Sequence, residues 1–550
     1  MPHYTALTIG PIYKTLQMAR STKAVWAASY MFSYLMRKII DKGLQKGMLI
    51  EDNILLPRFE DVALKDDYKM GVGLFPDRLI YKGKVNDFQL VIDEVIEEFA
   101  RNVYDDLNHD NHVMGNEIDN LFKSYFRIAQ LSVQLDDQAD VILELYKYLD
   151  ATELTQKINP HAENEKFLIE FLEMFEPNYN FLHRMEFGGR RFKSTAEIAT
   201  AEFAGTPFYE EARGCIRRDI ESGQDEYYRV IKRGADKRFR NYHKYMAIVQ
   251  ADGDNFGKFI KQLYQQPDNE ALLRKFSMNL WHFSKEAVEI INNYNGTPIY
   301  AGGDDLLFFC PVAHTRLDEN GKVLIEKTLF DLIDEIDRLF DRWFTRDGDF
   351  EKVLGNLSIR PTMSYGVSIS YYKFPLNEAR ELTVQQLFDQ AKRNRHKNAV
   401  SFAVLKHSGQ YFGTTFHKGS NAYKIFNQIL KSHGVDGNFI RSVAQKLEPL
   451  SAVIYEIGKV TETEQRNTMF DHFFENNFDE SVHTRKKPDG TRELIPFLEH
   501  VKQLFKDVYA ETPVWDVSSP RSSPQPHEAN MKQIYAALRF LEFINNTQER

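Results

Sequence analysis

Two acidic clusters hold the residues of this sequence best suited to chemistry: Ala251-Asp252-Gly253-Asp254-Asn255-Phe256-Gly257-Lys258 and Gly302-Gly303-Asp304-Asp305. Crowded carboxylates repel one another unless a cation sits between them. Hard oxygen donors with room for water suit Mg²⁺ or Mn²⁺ held jointly with substrate phosphates. Asp252, Asp304 and Asp305 are therefore candidate metal ligands and catalytic residues. The paired glycines Gly302 and Gly303 would let a triphosphate approach the backbone. Two ions about 4 Å apart would orient a 3′-hydroxyl for in-line attack on an α-phosphate and stabilise the leaving pyrophosphate.

Competing readings of these residues fail on spacing. A calcium loop needs oxygen ligands at its fifth and twelfth positions, where Phe256 and Leu263 stand. A P-loop needs Ser or Thr where Phe259 stands. The basic run from Ala391 to Asn398 offers Lys392 or Lys397 to hold the β- and γ-phosphates of a nucleotide, although cations are also favoured at a helix C-terminus. His109-Asp110 looks like half of a metal phosphohydrolase doublet, but no suitably placed upstream His completes it. Cys215 and Cys310 have no neighbouring His, and Cys310 reads as core.

The elements that must position these groups follow from periodicity. Tyr245 to Ala251 is an apolar strand, and Ala271 to Tyr294 carries apolar residues at helical spacing. Pro298 to Ala301 and Leu306 to Cys310 read as a hairpin around the Gly302–Asp305 turn. A helix over Thr328 to Phe344, strands over Thr362 to Ser370 and Ala399 to Leu405, and a helix around Leu382 to Lys392 complete the pattern. The order β-α-β-β-α-β predicts a ferredoxin-like sheet with helices on one face. In that topology the third strand lies antiparallel beside the first, which brings Asp252 close to Asp304 and Asp305.

Upstream, Tyr4 to Ile12 predicts a strand, Leu16 to Ile39 one long helix closed by Gly43 and Gly47, and Phe88 to Leu107 another helix. Asp105 to Glu117 predicts a loop, with helices onward to Phe175. Between Glu176 and Asn241 lie Gly188-Gly189-Arg190-Arg191, Arg217-Arg218, Lys232-Arg233 and Lys237-Arg238-Phe239-Arg240. Such a connector either touches phosphates or is a solvated face. Ser408 to Arg550 reads as mostly helical, broken by the Ser- and Pro-rich stretch Ser518 to Pro526. The expected division is a mixed α/β first part (1–175), a basic connector (176–240), a ferredoxin-like unit (241–410) and a helical C-terminal domain (411–550), in which the resemblance given below makes the first part a degenerate first palm and the third a second palm.

With 550 residues, 43% apolar and 27% charged, the chain is a multidomain folded protein, and a net charge of −9 argues against a small basic nucleic-acid binder. Two cysteines cannot build a disulfide framework or a four-cysteine zinc site, so no zinc site and a reducing, cytoplasmic setting are expected. No signal peptide or bilayer-spanning run is legible, so no membrane role is expected.

The sequence resembles the large palm-domain subunit of type III-B (Cmr) CRISPR effector complexes, in its form without an HD nuclease domain. The hallmarks are Tyr300-Ala301-Gly302-Gly303-Asp304-Asp305, Ala251-Asp252-Gly253-Asp254-Asn255-Phe256 and Ser364-Tyr365-Gly366-Val367. Lys397-Asn398-Ala399-Val400, Ser408-Gly409-Gln410, Thr8-Ile9-Gly10-Pro11, the stretch from Ala19 to Trp26 with Ser29, and Phe75-Pro76-Asp77-Arg78 also fit.

The resemblance implies an α/β (α+β) chain with two ferredoxin-like palms, helical insertions and a helical C-terminal domain. It implies a nucleotidyltransferase that takes ATP with Mg²⁺ or Mn²⁺ when target RNA is bound. The product would be a cyclic oligoadenylate or AMP joined to S-adenosylmethionine. Asp252, Asp304 and Asp305 would hold the metals, the backbone of Gly253, Asp254, Asn255 and Phe256 would surround the triphosphate, and Lys397 with Lys392 would hold phosphate. The first palm, lacking an acidic tip, would shape the acceptor side of a shared pocket. Other complex subunits, CRISPR RNA and target RNA are the implied partners, and DNA cleavage is not expected. A diguanylate-cyclase-like enzyme and a non-catalytic RNA-positioning scaffold are the alternatives.

Overall fold

A computed structural model describes residues 1–65, 67–107, 115–136, 140–155, 165–174, 180–188, 190–216, 219, 225–346, 348–358, 360–393, 397–431, 437–488, 490–511 and 526–546. The organising strands are β1 (His3–Gly10), β2 (Ile54–Leu56), β3 (Arg78–Lys82), β4 (Arg127–Gln134), β5 (Tyr245–Asp254) and β6 (Thr297–Gly302). They continue with β7 (Asp305–Pro311), β8 (Ala313–Leu317), β9 (Val323–Thr328), β10 (Thr362–Tyr371), β11 (Ala399–Leu405) and β12 (Tyr411–His417).

The first sheet runs β2-β3-β1-β4 and the second β12-β11-β10-β5-β7-β6. Within the second, β6-β7-β5-β10 repeats the order of the first, and every pair in both sets is antiparallel. Both sheets are thus ferredoxin-like, with the third strand beside the first. The molecule is α/β with two such units and a helical C-terminal region, as expected. Among the described residues, no helix is long and apolar enough to cross a membrane.

Local chemistry fixes the elements that carry the site. The helix Asn269–Asn293 stops where Asn295 adopts φ +60° and the Gly296 N–H turns back to the Ile291 carbonyl at 2.8 Å. The helix Leu329–Phe344 starts with a capping box between Thr328 and Asp331. Its Phe330 packs with Phe402 of β11 and Phe540 of the C-terminal helix Pro526–Asn545, which closes the second sheet.

Several elements differ from expectation. Residues 127–134 form β4 rather than helix, because Ile128, Gln130 and Ser132 belong to a strand paired with β1 along its whole length. The helix expected over Leu16 to Ile39 is two, Ile12–Met18 and Thr22–Gln45, separated where the Ser21 hydroxyl caps the second by accepting from the Ala24 N–H. The helix expected at Leu382 to Lys392 is instead Leu376–Gln385 followed by a π turn, Gln386–Ala391. It lies on the opposite side of β10 from the main helices: Gly366 meets the backbone of Thr383 and Leu387, whereas Tyr365 reaches Asp337 of the helix Leu329–Phe344. Helices therefore cover both faces of the second sheet, not one. The hairpin β8–β9, the strand β12 and the short helix Phe256–Tyr264 are additional.

The connector is built of short helices, including Thr195–Ala199, Pro207–Arg213 and Glu226–Ala235. Part of its positive charge is neutralised internally: Arg191 and Arg213 both pair with buried Glu197, and Arg238 with buried Glu202. Arg217-Arg218, His109-Asp110, most of the Asp105–Glu117 segment and all but the last residue of Ser518 to Pro526 lie outside the described residues.

Among the contacts that join the palms, two lie beside the acidic turn. The segment before β3 pairs with β6 through a Gly73–Tyr300 bridge, with the Ala301 N–H donating to the Gly73 carbonyl at 3.2 Å. Beside it, the Phe75 ring packs tilted against Phe59 and edge-on against Trp281, each at 5.4 Å between ring centres.

Candidate active site

The acidic residues meet because of strand register. Ala251 of β5 pairs with Leu306 of β7, so the next residues outward, Asp252 and Asp305, are neighbours across the ladder. Asp305 pairs with Gly302 of β6, leaving Gly303-Asp304 as a two-residue turn with Gly303 at φ +73°. Such tight turns take a glycine first because only glycine enters that conformation freely. The Ser284 hydroxyl holds the turn by donating to the Gly303 carbonyl at 3.0 Å. A Cβ on Gly253 would overlap the Asp304 carboxylate and the Phe256 ring, so glycine there is what lets the turn close over the end of β5.

The carboxylates feel one another. Burial, then the charge of Asp252, pushes the Asp304 carboxyl up to about 6, and the Gly253 backbone only partly offsets this. Asp305, at the more open edge, is raised well above the usual carboxylate range by the surrounding protein and then by Asp304, Asp252 and Asp77. Asp252 is raised by desolvation against the opposing pull of Lys392. Among the described residues no three His, Cys, Asp or Glu side chains form a ready-made metal cage. Mg²⁺ characteristically needs one or two protein carboxylates and takes its other ligands from phosphates and water. The Asp252 and Asp304 pair, with carboxyls whose charge is costly without a cation, fits that donor set.

The other expected site residues divide. Asp254 is fully buried, and its carboxylate accepts from Thr362 Oγ1 (3.0 Å), Ser364 Oγ (2.7 Å), the Asn398 N–H (3.0 Å) and Lys392 Nζ (2.9 Å). With its side chain saturated, it braces β5, β10 and β11 and leaves no free oxygen for a ligand. Lys392 Nζ donates to the Asp252 and Gly253 carbonyls at 2.9 and 2.6 Å and pairs with the Asp252 carboxylate at 3.1 Å. An ammonium has three donors, so Lys392 is committed to the strand end and is not free to hold a phosphate.

Lys397, at φ +50°, lies half-buried, and its charge acts on Asp252; it has no ion-pair partner among the described residues. Phe256 is a core anchor against Phe276, Phe340 and Phe344, so only its backbone is available. Asn255 takes a left-handed conformation (φ +65°) to start the helix Phe256–Tyr264. The first N–H groups of that helix have no intrahelical acceptor and point with the positive end of its dipole. Gly302 lies against the Tyr300 ring, whose hydroxyl is 3.5 Å from the Gly302 carbonyl.

One residue was missed. Asp77, just before β3, is raised by burial, and its charge reaches Asp305, Tyr300 and Tyr146. The first palm, expected to bring no acid at its tip, does contribute this carboxylate. Its signal was the Phe75-Pro76-Asp77-Arg78 run, whose position beside the second palm no local pattern reveals. Around it Arg78 pairs with Asp150 at 2.6 Å and lies over the Tyr146 ring, and Thr8 donates to Glu153 at 2.6 Å.

Comparison with known proteins gives a consistent result. Residues 245–401 match the family Cas10/Cmr2, second palm domain, and residues 4–109 match CRISPR-associated protein Cmr2, N-terminal. The chain is 26% identical over 301 residues to CRISPR system Cmr subunit Cmr2 of Pyrococcus furiosus, an alignment covering 49% of this chain and 30% of that protein. The aligned part is therefore under a third of that curated relative's length. In fold, it is similar to a chain of type III-B Cmr-beta in the apo state (TM-score 0.57, 12% identity, covering 98% of this chain and 82% of the other). A chain of the same assembly bound to cognate target RNA gives a TM-score of 0.55 at 14% identity, covering 98% and 83%. Two family matches in chain order, a Cmr2 relative aligned over half the chain and twin ferredoxin-like sheets with an acidic hairpin make the chain similar to the Cmr2-type palm subunits of the Cas10/Cmr2 family.

Proposed function

We propose that the chain is the nucleotidyltransferase subunit of a type III-B CRISPR effector complex, using ATP to make a nucleotide second messenger once target RNA is bound. The observation that supports this most is the convergence of Asp252, Asp304 and Asp305 at the paired ends of β5 and β7, beside the start of the helix Phe256–Tyr264. A triphosphate suits that helix N-terminus, where free N–H groups and the dipole favour an anion. Gly303, which faces open space, leaves the backbone of the turn accessible to it, and Lys397 is the cation available at its side.

Asp252, Asp304 and Asp305 would hold Mg²⁺ or Mn²⁺, which neutralises the triphosphate and activates the α-phosphate. Lys392 and Asp254 position rather than bind, since they lock the backbone from which Asp252 projects. An acceptor nucleophile then attacks the α-phosphate, displacing pyrophosphate. The surface around Asp77, Tyr146 and Tyr300 is the natural acceptor side. Depending on the acceptor, the product is a cyclic oligoadenylate or AMP joined to S-adenosylmethionine. Other complex subunits, CRISPR RNA and target RNA are the partners this reading requires.

The test is pyrophosphate release by the assembled complex from ATP and Mg²⁺, with and without target RNA and S-adenosylmethionine. Release is expected only with target RNA and is abolished by Asp304→Ala/Asp305→Ala. A product that needs S-adenosylmethionine identifies a conjugating enzyme, and ATP-only oligomers a cyclase. Equal absence of release from wild type and the double variant would leave a scaffold in place of an enzyme.

A further inference from the structure

A second charged site lies at the far end of β6 from the acidic turn. Thr297 opens that strand, five residues or roughly 17 Å from Gly302. Beside it is a cleft of about 630 Å³ lined by Lys69, Arg190, Arg191, Lys193, Arg213 and Thr297. Lys193 is half-buried, desolvation holds its ammonium below the usual lysine range, and among the described residues its one side-chain hydrogen bond is to the Gly296 carbonyl at 3.4 Å. Thr297 is 8% exposed, and its buried hydroxyl has no hydrogen-bond partner among the described residues. Buried hydroxyls are normally paired, so this one marks a place for an acceptor atom beside the lysine.

The acids near the cleft are already engaged. Glu186 accepts from the Tyr30 hydroxyl and the Gly71 N–H, Glu210 pairs with Arg213, and Glu197, just behind, serves Arg191 and Arg213. Five cations face three carboxylates, which leaves two positive charges in excess. Arg190 and Lys69, both exposed at the rim, have no ion-pair partner among the described residues. The cleft does not end there. Arg191 and Phe192 also line an adjoining cleft of about 430 Å³, whose walls include Arg20, Lys23, Glu173 and Lys373, the last paired with Asp225. The Phe187 and Phe192 rings stand edge to face at 5.7 Å in the first cleft.

A basic track longer than one nucleotide, with aromatic rings along it, matches the way single-stranded nucleic acid is held without sequence readout. We propose that the two clefts form one track for the phosphodiester backbone of a single strand, with Lys193 and Thr297 forming its deepest phosphate pocket. The track uses none of the acidic-site residues and does not depend on the reaction proposed for them.

The test is fluorescence anisotropy of a labelled ten-nucleotide oligouridylate on the full chain in EDTA, over a salt series, with the DNA analogue in parallel. Arg190→Ala/Lys193→Met should weaken binding about tenfold or more and flatten the salt dependence by about two charges. Lys232→Ala/Lys237→Ala removes two exposed cations of the same connector that lie outside both clefts, and should change affinity less than twofold. Equal losses in the two variants, or none in the first, would overturn the proposal. As a check independent of folding, wild-type Lys193 should be protected from amine acylation by the oligonucleotide, as read by peptide mapping. Protection by ATP or inorganic phosphate but not by the oligonucleotide would replace the track with a nucleotide pocket and overturn it equally.

Discussion

The Asp304 carboxyl sits near 6 rather than the usual 3.8 because burial and the Asp252 charge both oppose its ionisation. A folded state that holds a proton more tightly than the unfolded chain is favoured at low pH, and that contribution is lost as pH rises from about 4 through 6. The metal-free protein should therefore lose stability across this window. Asp304→Asn should lessen the decline, since Asp305 and Asp252 are raised as well, and melt about 2–4 °C higher than wild type at pH 8 without divalent cations, as expected for about 1 kcal/mol. Added Mg²⁺ should raise the melting temperature of the wild type and not of the variant, and its effect on wild type should shrink below pH 6. Differential scanning fluorimetry checks all three, and a variant that melts lower at pH 8 would contradict the repulsion. The acids themselves were legible because an acidic turn after an apolar strand is a local pattern. That Asp254 and Lys392 consume each other was not, since 138 residues separate them and only the β5–β10–β11 register joins them. Asp77 was invisible as a site residue for the same reason, coming from the other palm.

Among the elements, the π turn Gln386–Ala391 delivers Lys392 to the end of β5, and Gly366 decides how closely it can approach. A Cβ at Gly366 would overlap the Leu387 nitrogen and the Thr383 carbonyl oxygen, both backbone atoms that cannot rotate away. Gly366→Ala should therefore destabilise by about 2–3 kcal/mol, in the range of overpacked cores, and lower ATP turnover by shifting Lys392. Gly303→Ala meets open space and is opposed only by its φ of +73°, so it should cost about 1 kcal/mol. Thermal denaturation ranks the two, and a smaller loss for Gly366→Ala would mean that the helix Leu376–Gln385 yields easily. The elements read best from sequence were long and strongly periodic, such as Phe88–Leu107, or short and apolar between turns, such as Ala399–Leu405. Those missed had weak local signals. The strand β4 is half-exposed and dilutes its alternation with Gln and Ser, and a π turn has the composition of the helix it extends.

At the scale of the molecule, the two ferredoxin-like units form one site only if they are held in register. The join includes the Gly73–Tyr300 bridge and the Phe59–Phe75–Trp281 cluster around it, with polar contacts beside them such as the Arg58 N–H to the Ser277 hydroxyl and Lys285 to Glu60. Trp281 comes from the second palm and is 3% exposed, while its ring partners Phe59 and Phe75 come from the first. Phe75 lies two residues before Asp77, so the cluster sets where that carboxylate stands relative to Asp305. Trp281→Ala should remove about 3–5 kcal/mol of packing, loosening the first palm without touching the carboxylates of the second. Trp281→Phe keeps most of the ring contact and drops an indole N–H that has no partner among the described residues, so it should be far milder. If both palms build the pocket, Trp281→Ala in the assembled complex should bind ATP within threefold of wild type but release pyrophosphate more than tenfold more slowly. Trp281→Phe should stay close to wild type in both. Equilibrium ATP binding and single-turnover release separate the two effects. A folded Trp281→Ala complex with full turnover would mean that the second palm works alone and that Asp77 is a bystander.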